Sequence, residues 1–190
     1  NAPASAALAA GGEALPLQTL HNADGTTTSG APATVPALGW TTASLVASSA
    51  AASSTLSAST HHLENDLVRV TFDDNGEIAS VFDKTASREL IPAGQTANRL
   101  VAYEDKSLNW DAWDIERHYR NTVEDLAGPE SLASMQVVAE HPLEARVEVV
   151  RRYRASTITQ TYVLRAGSPR LDVVTVIDWR ERERLLKAAF

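Results

Sequence analysis

Cysteine is absent from all 190 residues. The chain therefore has no disulfide, no thiolate metal site and no cysteine nucleophile. Basic charge is also short: 17 Lys and Arg stand against 24 Asp and Glu, a net charge of −7. Nucleic acid and anionic membranes are recognised through a basic surface, so neither is an expected partner. No run of about 18 apolar residues is present, which excludes a membrane-spanning helix. The opening residues lack the basic stretch and apolar centre of a secretory signal. Neither a Gly-x-Ser-x-Gly elbow nor a glycine-rich phosphate loop occurs. The five histidines are scattered at 21, 61, 62, 118 and 141. Only His61 and His62 are adjacent, and neighbours on a strand point to opposite faces, so no three-ligand zinc site is expected from them.

What is present is a soluble, 44% hydrophobic composition in which only 6% of residues are aromatic. Those few aromatics are concentrated. Residues 101–119 hold Trp110 and Trp113, Tyr103 and Tyr119, beside Glu104, Asp105, Asp111, Asp114 and Glu116. Aromatic rings cover the apolar faces of sugars, and carboxylates hydrogen-bond sugar hydroxyls. Trp110, Asp111, Trp113 and Asp114 are the candidate substrate-binding residues. The plainer alternative makes the tryptophans core and the acids a solvated rim, because large aromatics are mostly well buried. No catalytic residue is assigned.

The rest of the chain reads as β-structure. Short strand-like pieces fill residues 1–46, with Glu13–Leu20 broken by Pro16 and a polar turn at 22–25. Residues 47–60 are nearly all Ala, Ser and Thr, which suits a loop or linker. A main antiparallel domain is expected over 61–190. Strands at 67–72 and 78–82 flank Asn75-Gly76, a pair suited to the two positive-φ positions of a tight hairpin turn. Three longer strands alternate with period two: Ala145–Tyr153, Thr157–Arg165 and Leu171–Asp178. Joined by short turns, they form a meander, and the expected fold is an all-β antiparallel sandwich. Helical spacing shows only at 180–189, where Leu185, Leu186 and Ala189 share a face. Arg151, Arg152 and Arg154 around Tyr153 offer an anion site or half an interface, against the plainer reading of a solvated face.

Several motifs together resemble a known family. His62-Leu63-Glu64-Asn65-Asp66-Leu67-Val68, then Asn75-Gly76-Glu77-Ile78 and Asp83-Lys84, look like the opening of the C-terminal β domain of the family 38 glycoside hydrolases, the α-mannosidases. Asn98-Arg99-Leu100, Tyr103-Glu104-Asp105 and Trp110-Asp111-Ala112-Trp113-Asp114-Ile115 are similar to a later segment of that domain. Asp178-Trp179 and Leu185-Leu186-Lys187-Ala188-Ala189-Phe190 are similar to another. The likeness covers about residues 60–190 and, loosely, 11–46. One departure is Lys106-Ser107-Leu108-Asn109, where the family pattern carries a proline.

The resemblance implies a galactose-mutarotase-like sandwich and a parent enzyme that is a zinc-dependent, retaining α-mannosidase. The nucleophile and zinc ligands would lie in an N-terminal catalytic domain of the same polypeptide, missing from this sequence. No cofactor is then expected on these residues. The expected partners are that domain and a carbohydrate substrate. The apolar ending at 185–190 also reads as a cut from a longer chain, and self-association into homo-oligomers stays open. A stand-alone carbohydrate-binding module is the second reading; a mutarotase-like epimerase, resting on fold analogy, is the third.

Overall fold

The computed structural model describes residues 6–10, 13–21, 26–47, 55–110 and 113–190. Among them are seventeen strands and one short 3-10 helix. The strands are β1 (Ala6–Ala10), β2 (Glu13–Pro16), β3 (Gln18–His21), β4 (Thr27–Gly30), β5 (Ala43–Ala47), β6 (Ser57–Ser59), β7 (His62–Glu64), β8 (Val68–Phe72), β9 (Ile78–Asp83), β10 (Arg88–Glu89), β11 (Arg99–Glu104), β12 (Glu124–Asp125), β13 (Leu132–Glu140), β14 (Glu144–Tyr153), β15 (Ser156–Arg165), β16 (Leu171–Asp178) and β17 (Arg184–Ala189). The helix spans Arg117–Thr122, between β11 and β12.

A four-stranded sheet, β13-β14-β15-β16, forms one layer. The five strands β10-β9-β8-β7-β6 and the three strands β12-β11-β17 cover its inner face. All strand pairings are antiparallel, so the molecule is an all-β antiparallel sandwich. Alternation sets the core. Ala145, Val147 and Val149 of β14 are fully buried, and Tyr162 and Leu164 of β15 lie beside them. Across the interior they meet Leu63, Val70, Phe72 and Ile78. A second cluster of Leu100, Ala102, Leu126, Tyr153 and Ile158 closes the other end, with Trp179 stacked on Tyr153 at 5.7 Å.

Several expectations are met and several are corrected. The β14-β15-β16 meander stands with continuous register from β14 to β16. The β8–β9 hairpin also forms, but its turn differs from the expected one. Only Gly76 adopts positive φ (+76°); Asn75 does not. The turn closes when Gly76 N–H donates to Asp73 O, while Asp73 Oδ1 accepts from the Asn75 and Glu77 N–H groups. Aspartate first and glycine fourth is the pattern of a type I turn. Close packing adds a second reason for glycine, since a Cβ at 76 would lie 3.0 Å from a Val149 methyl.

The helical expectation for 180–189 fails. Arg184–Ala189 is strand β17, paired with β11 from Arg99↔Ala189 to Glu104↔Arg184. Leu186 packs on the second core cluster instead of forming a helix face. Arg151 is also not on a solvated face: it is 3% exposed, on the same side of β14 as Val147 and Val149. Within 47–60, Ser57–Ser59 forms β6 and pairs with β7; residues 48–54, and the turn expected at 22–25, lie outside the described residues.

Strand β17 is also held by an ion cluster. Glu124 accepts from Tyr153 OH (2.8 Å), Arg154 Nη2 (2.9 Å) and Arg184 Nη1 (2.9 Å). Burial alone would raise the Glu124 carboxyl, but the Tyr153 and Arg154 donors outweigh it and hold it below the ordinary glutamate value. A depressed folded-state value stabilises the fold above the unfolded carboxylate range, and that contribution is lost as pH falls through the folded value. Replacing Glu124 with Gln is therefore expected to cost about 1 kcal/mol at neutral pH, discounted because the site is part-exposed. Thermal melts of the two proteins should converge in acid, once pH has fallen below the depressed folded value of Glu124. A gap that persists unchanged there would rule out the charge as its source.

Candidate functional site: the aromatic loop

The loop between β11 and the 3-10 helix carries the acidic and aromatic residues singled out above. It is tied at its base. Asp105 N–H donates to Glu183 O (2.8 Å), and Glu104 N–H donates to Thr122 Oγ1 (2.9 Å). Thr122 in turn donates to Tyr119 O. Lys106 pairs with Glu104 at 2.5 Å; this hydrogen bond holds the Glu104 carboxyl below its usual value and raises the lysine.

The tip is folded on itself. Trp110 sits in the left-handed region (φ 61°), uncommon for a bulky side chain. Its carbonyl accepts from the N–H groups of Trp113 (2.9 Å) and Asp114 (3.2 Å). Ser107 Oγ donates to the carbonyls of Asn109 and Asp114, and Leu108 N–H donates to Glu116 Oε1. Backbone groups that would otherwise face water are thus used to shape the tip. An unusual φ held by several hydrogen bonds is a feature that recurs at ligand sites.

The tryptophans point outward. Trp110 is 78% exposed and Trp113 is 92% exposed. Leu108 and Ile115 are exposed beside them in sequence, and the Asp114 residue is exposed as well. The core alternative for these tryptophans is thereby overturned. Asp111 lies outside the described residues. The structure brings Trp110, Trp113 and Asp114 into one turn, since a single carbonyl binds the latter two.

Sequence reasoning missed the support beneath the loop. Tyr119 packs edge-on against Tyr103 at 5.0 Å. Lys187 Nζ, from β17, donates to Tyr119 OH (2.6 Å), and Arg120 Nε donates to the same oxygen (3.2 Å). These two cations, Lys187 first, lower the Tyr119 phenol below its ordinary value. Each residue was visible in the motifs, but their meeting depends on β17 being a strand beside β11.

The described residues contain no group of three or more His, Cys, Asp or Glu able to hold a metal. The described residues therefore offer no donor set that fits a zinc ion. A separate apolar cavity of about 340 Å³ opens between β15–β16 and β11–β17, lined by Leu100, Val173, Ile177, Leu186 and Phe190 with Asn98 and Gln160. Asn98 Nδ2 donates to Tyr162 OH, and Gln160 Nε2 reaches Asn98 Oδ1 and Thr175 Oγ1 at 3.4 Å.

Residues 63–190 match the glycosyl hydrolases family 38 C-terminal domain. The chain is 29% identical to alpha-mannosidase G of Dictyostelium discoideum over 133 residues, 66% of this chain. It is 29% identical to human alpha-mannosidase 2C1 over 129 residues, 67% of this chain. Against the alpha-mannosidase of Saccharomyces cerevisiae it is 25% identical over 130 residues, 60% of this chain. The matched region spans 12% of each relative's length. With two thirds of its residues inside the matched domain, the chain belongs to the glycosyl hydrolase family 38 C-terminal domains.

Proposed function

We propose that this chain serves as the C-terminal β domain of a zinc-dependent, retaining α-mannosidase, where it braces the catalytic domain and lends the aromatic loop to the sugar site. One observation carries the sugar-lining role: Trp110 and Trp113 are almost fully exposed on a loop that is otherwise hydrogen-bonded closed. Leaving two indoles in water is unfavourable unless something covers them. A pyranose offers an apolar face for an indole and hydroxyls for Asp114. A retaining glycosidase needs two carboxylates about 5 Å apart astride the scissile bond. That pair, and the zinc that would help hold the mannoside, belong in this reading to the catalytic domain. The work of this chain is to orient sugar and exclude water.

The test replaces Trp113 with Ala in an α-mannosidase polypeptide bearing this domain. Loss of one stacking platform, about 1.4 kcal/mol, should raise KM for a chromogenic α-mannoside about tenfold with the melting temperature unchanged. An unchanged KM would sink the sugar-lining role. The same exposed indoles favour one second reading, a stand-alone carbohydrate-binding module. Calorimetric titration of this chain with mannose oligosaccharides separates the two. Heat that disappears in the Trp113→Ala variant would favour the module, whereas no heat at millimolar sugar fits a loop that needs the catalytic domain.

A further inference from the structure

We infer that the sandwich encloses an ordered water molecule, held by Glu77 Oε1, the Tyr162 hydroxyl and the Gly76 carbonyl.

Glu77 carries the inference. It is 5% exposed, and among the described residues its Oε1 is the one sealed side-chain oxygen or nitrogen without a hydrogen-bond partner. The other carboxylate oxygen, Oε2, accepts from Thr96 Oγ1 at 2.7 Å. The backbone at this position is fixed. Glu77 N–H donates to Asp73 Oδ1 at 2.8 Å, and Glu77 O accepts from Asp73 N–H at 3.0 Å. A carboxylate oxygen shut away from solvent and left unpaired bears its full desolvation penalty. Folded proteins relieve such groups with a partner from the chain or with ordered water.

The neighbours of Glu77 indicate which partner fits. Ile78 and Ala97 form an antiparallel bridge, which sets Glu77 opposite Asn98 on one face. Asn98 Nδ2 donates to Tyr162 OH at 2.9 Å. The phenol's own proton is directed at Gly76 O, the carbonyl bonded to the Glu77 nitrogen, at 3.4 Å. That separation is beyond the ordinary O–H···O range. Glu77 also lies close enough to act on the phenol: burial is the main cause that raises the Tyr162 pKa, and Glu77 adds to it. An under-used donor, a carbonyl with a lone pair to spare and an unpaired carboxylate oxygen therefore converge.

A single water answers all three. It accepts from the Tyr162 hydroxyl and donates to Glu77 Oε1 and Gly76 O, the usual complement of about three bonds for a buried water. A charged occupant fits less well. Arg151 is 3% exposed and donates to Asn75 O, two residues before Glu77, so it would repel a cation. Glu77 and Asp73, which both act on Arg151, would repel an anion. Glu77 Oε1 is closed in by the described residues themselves, so no segment outside the sandwich could supply its partner. The water would join the two layers, since Gly76 and Glu77 belong to the β8–β9 turn and Tyr162 to β15.

Crystals of the 190-residue chain that resolve ordered waters should show density about 2.7–3.0 Å from both Glu77 Oε1 and Tyr162 OH. In solution, a long-lived water should give a rotating-frame Overhauser cross-peak to the Glu77 amide proton. Tyr162→Phe removes the donor and should abolish the cross-peak and the density together. Three results would overturn the inference. The first is Glu77 Oε1 bonded directly to a protein donor such as Arg151. The second is a peak at about 2.4 Å ringed by about six oxygens, the mark of a cation. The third is a water that keeps full occupancy in Tyr162→Phe.

Discussion

Alanine at position 65 is expected to lower the unfolding free energy by about 3 kcal/mol. Asn65 is 1% exposed, and its amide makes four bonds to backbone. Oδ1 accepts from the N–H groups of Leu67 and Val68, both at 2.8 Å. Nδ2 donates to the carbonyls of Arg165 and Ser168, both at 2.8 Å. The first pair shapes the β7–β8 turn; the second grips the β15–β16 turn a hundred residues later. One side chain thus fastens the five-stranded sheet to the four-stranded one. Truncation strands four backbone groups, and buried groups without partners cost far more than the hydrogen bond was worth in water. Aspartate is the sharper control. It keeps both acceptor bonds but turns a carboxylate toward two carbonyl oxygens. That repulsion raises its folded-state pKa above the unfolded value, so the Asn65→Asp variant should be weakest at neutral pH and recover in mild acid. Urea titrations of the three proteins at both pH values decide the matter. An Asn65→Ala protein within half a kcal/mol of the parent would show that water replaces these bonds freely.

Arg151 should be nearly as sensitive, with Arg151→Ala costing about 4 kcal/mol. The guanidinium is buried in the sandwich. Nη1 donates to Leu126 O (3.2 Å) and Ser131 Oγ (3.3 Å), while Nη2 donates to Asn75 O. It therefore links the Asp73–Gly76 turn with Leu126, just after β12, and Ser131, just before β13, through one planar fork. Burial pulls its pKa below the ordinary arginine value, and nearby Tyr162, Glu77 and Asp73 act against that pull. Lysine preserves the charge but not the fork, because a single ammonium on a flexible stem cannot reach three separated acceptors. Arg151→Lys is thus expected to recover no more than about half the loss. Full rescue by lysine, measured by thermal melts, would mean that charge alone matters at this position.

These two residues show how far the sequence could be read. The alternation of β14 already placed Arg151 on the face of Ala145, Val147 and Val149, and the structure keeps it there. Its charge argued for water, and the three carbonyl and hydroxyl acceptors that overrule this come from distant segments. The same limit applies to β17. Arg184-Leu185-Leu186-Lys187-Ala188-Ala189 consists of good helix formers. It becomes a strand because β11 offers six partners in register, and pairing outweighs local propensity. Long strands with clean period two were legible; short strands whose pattern rests on a neighbour were not.

The candidate site was legible in content rather than in posture. Clustering of Trp110, Trp113 and Asp114 was evident from the residues alone. Whether the indoles faced inward depended on the loop being closed by Trp110 O and Ser107 Oγ, which no spacing rule encodes. Buried aromatics are the usual case, and this loop departs from it. The departure is the physical ground on which the role proposed for the loop rests.

The two irregularities in β13 carry one last implication. A sheet whose opposite margins were both smooth could recruit copies without end and grow into a fibre. Here the far margin is kinked between Leu132 and Ser134 and again between Val137 and Ala139, which spoils it as a landing place. That margin of the four-stranded sheet is thereby closed to strand addition by its own backbone.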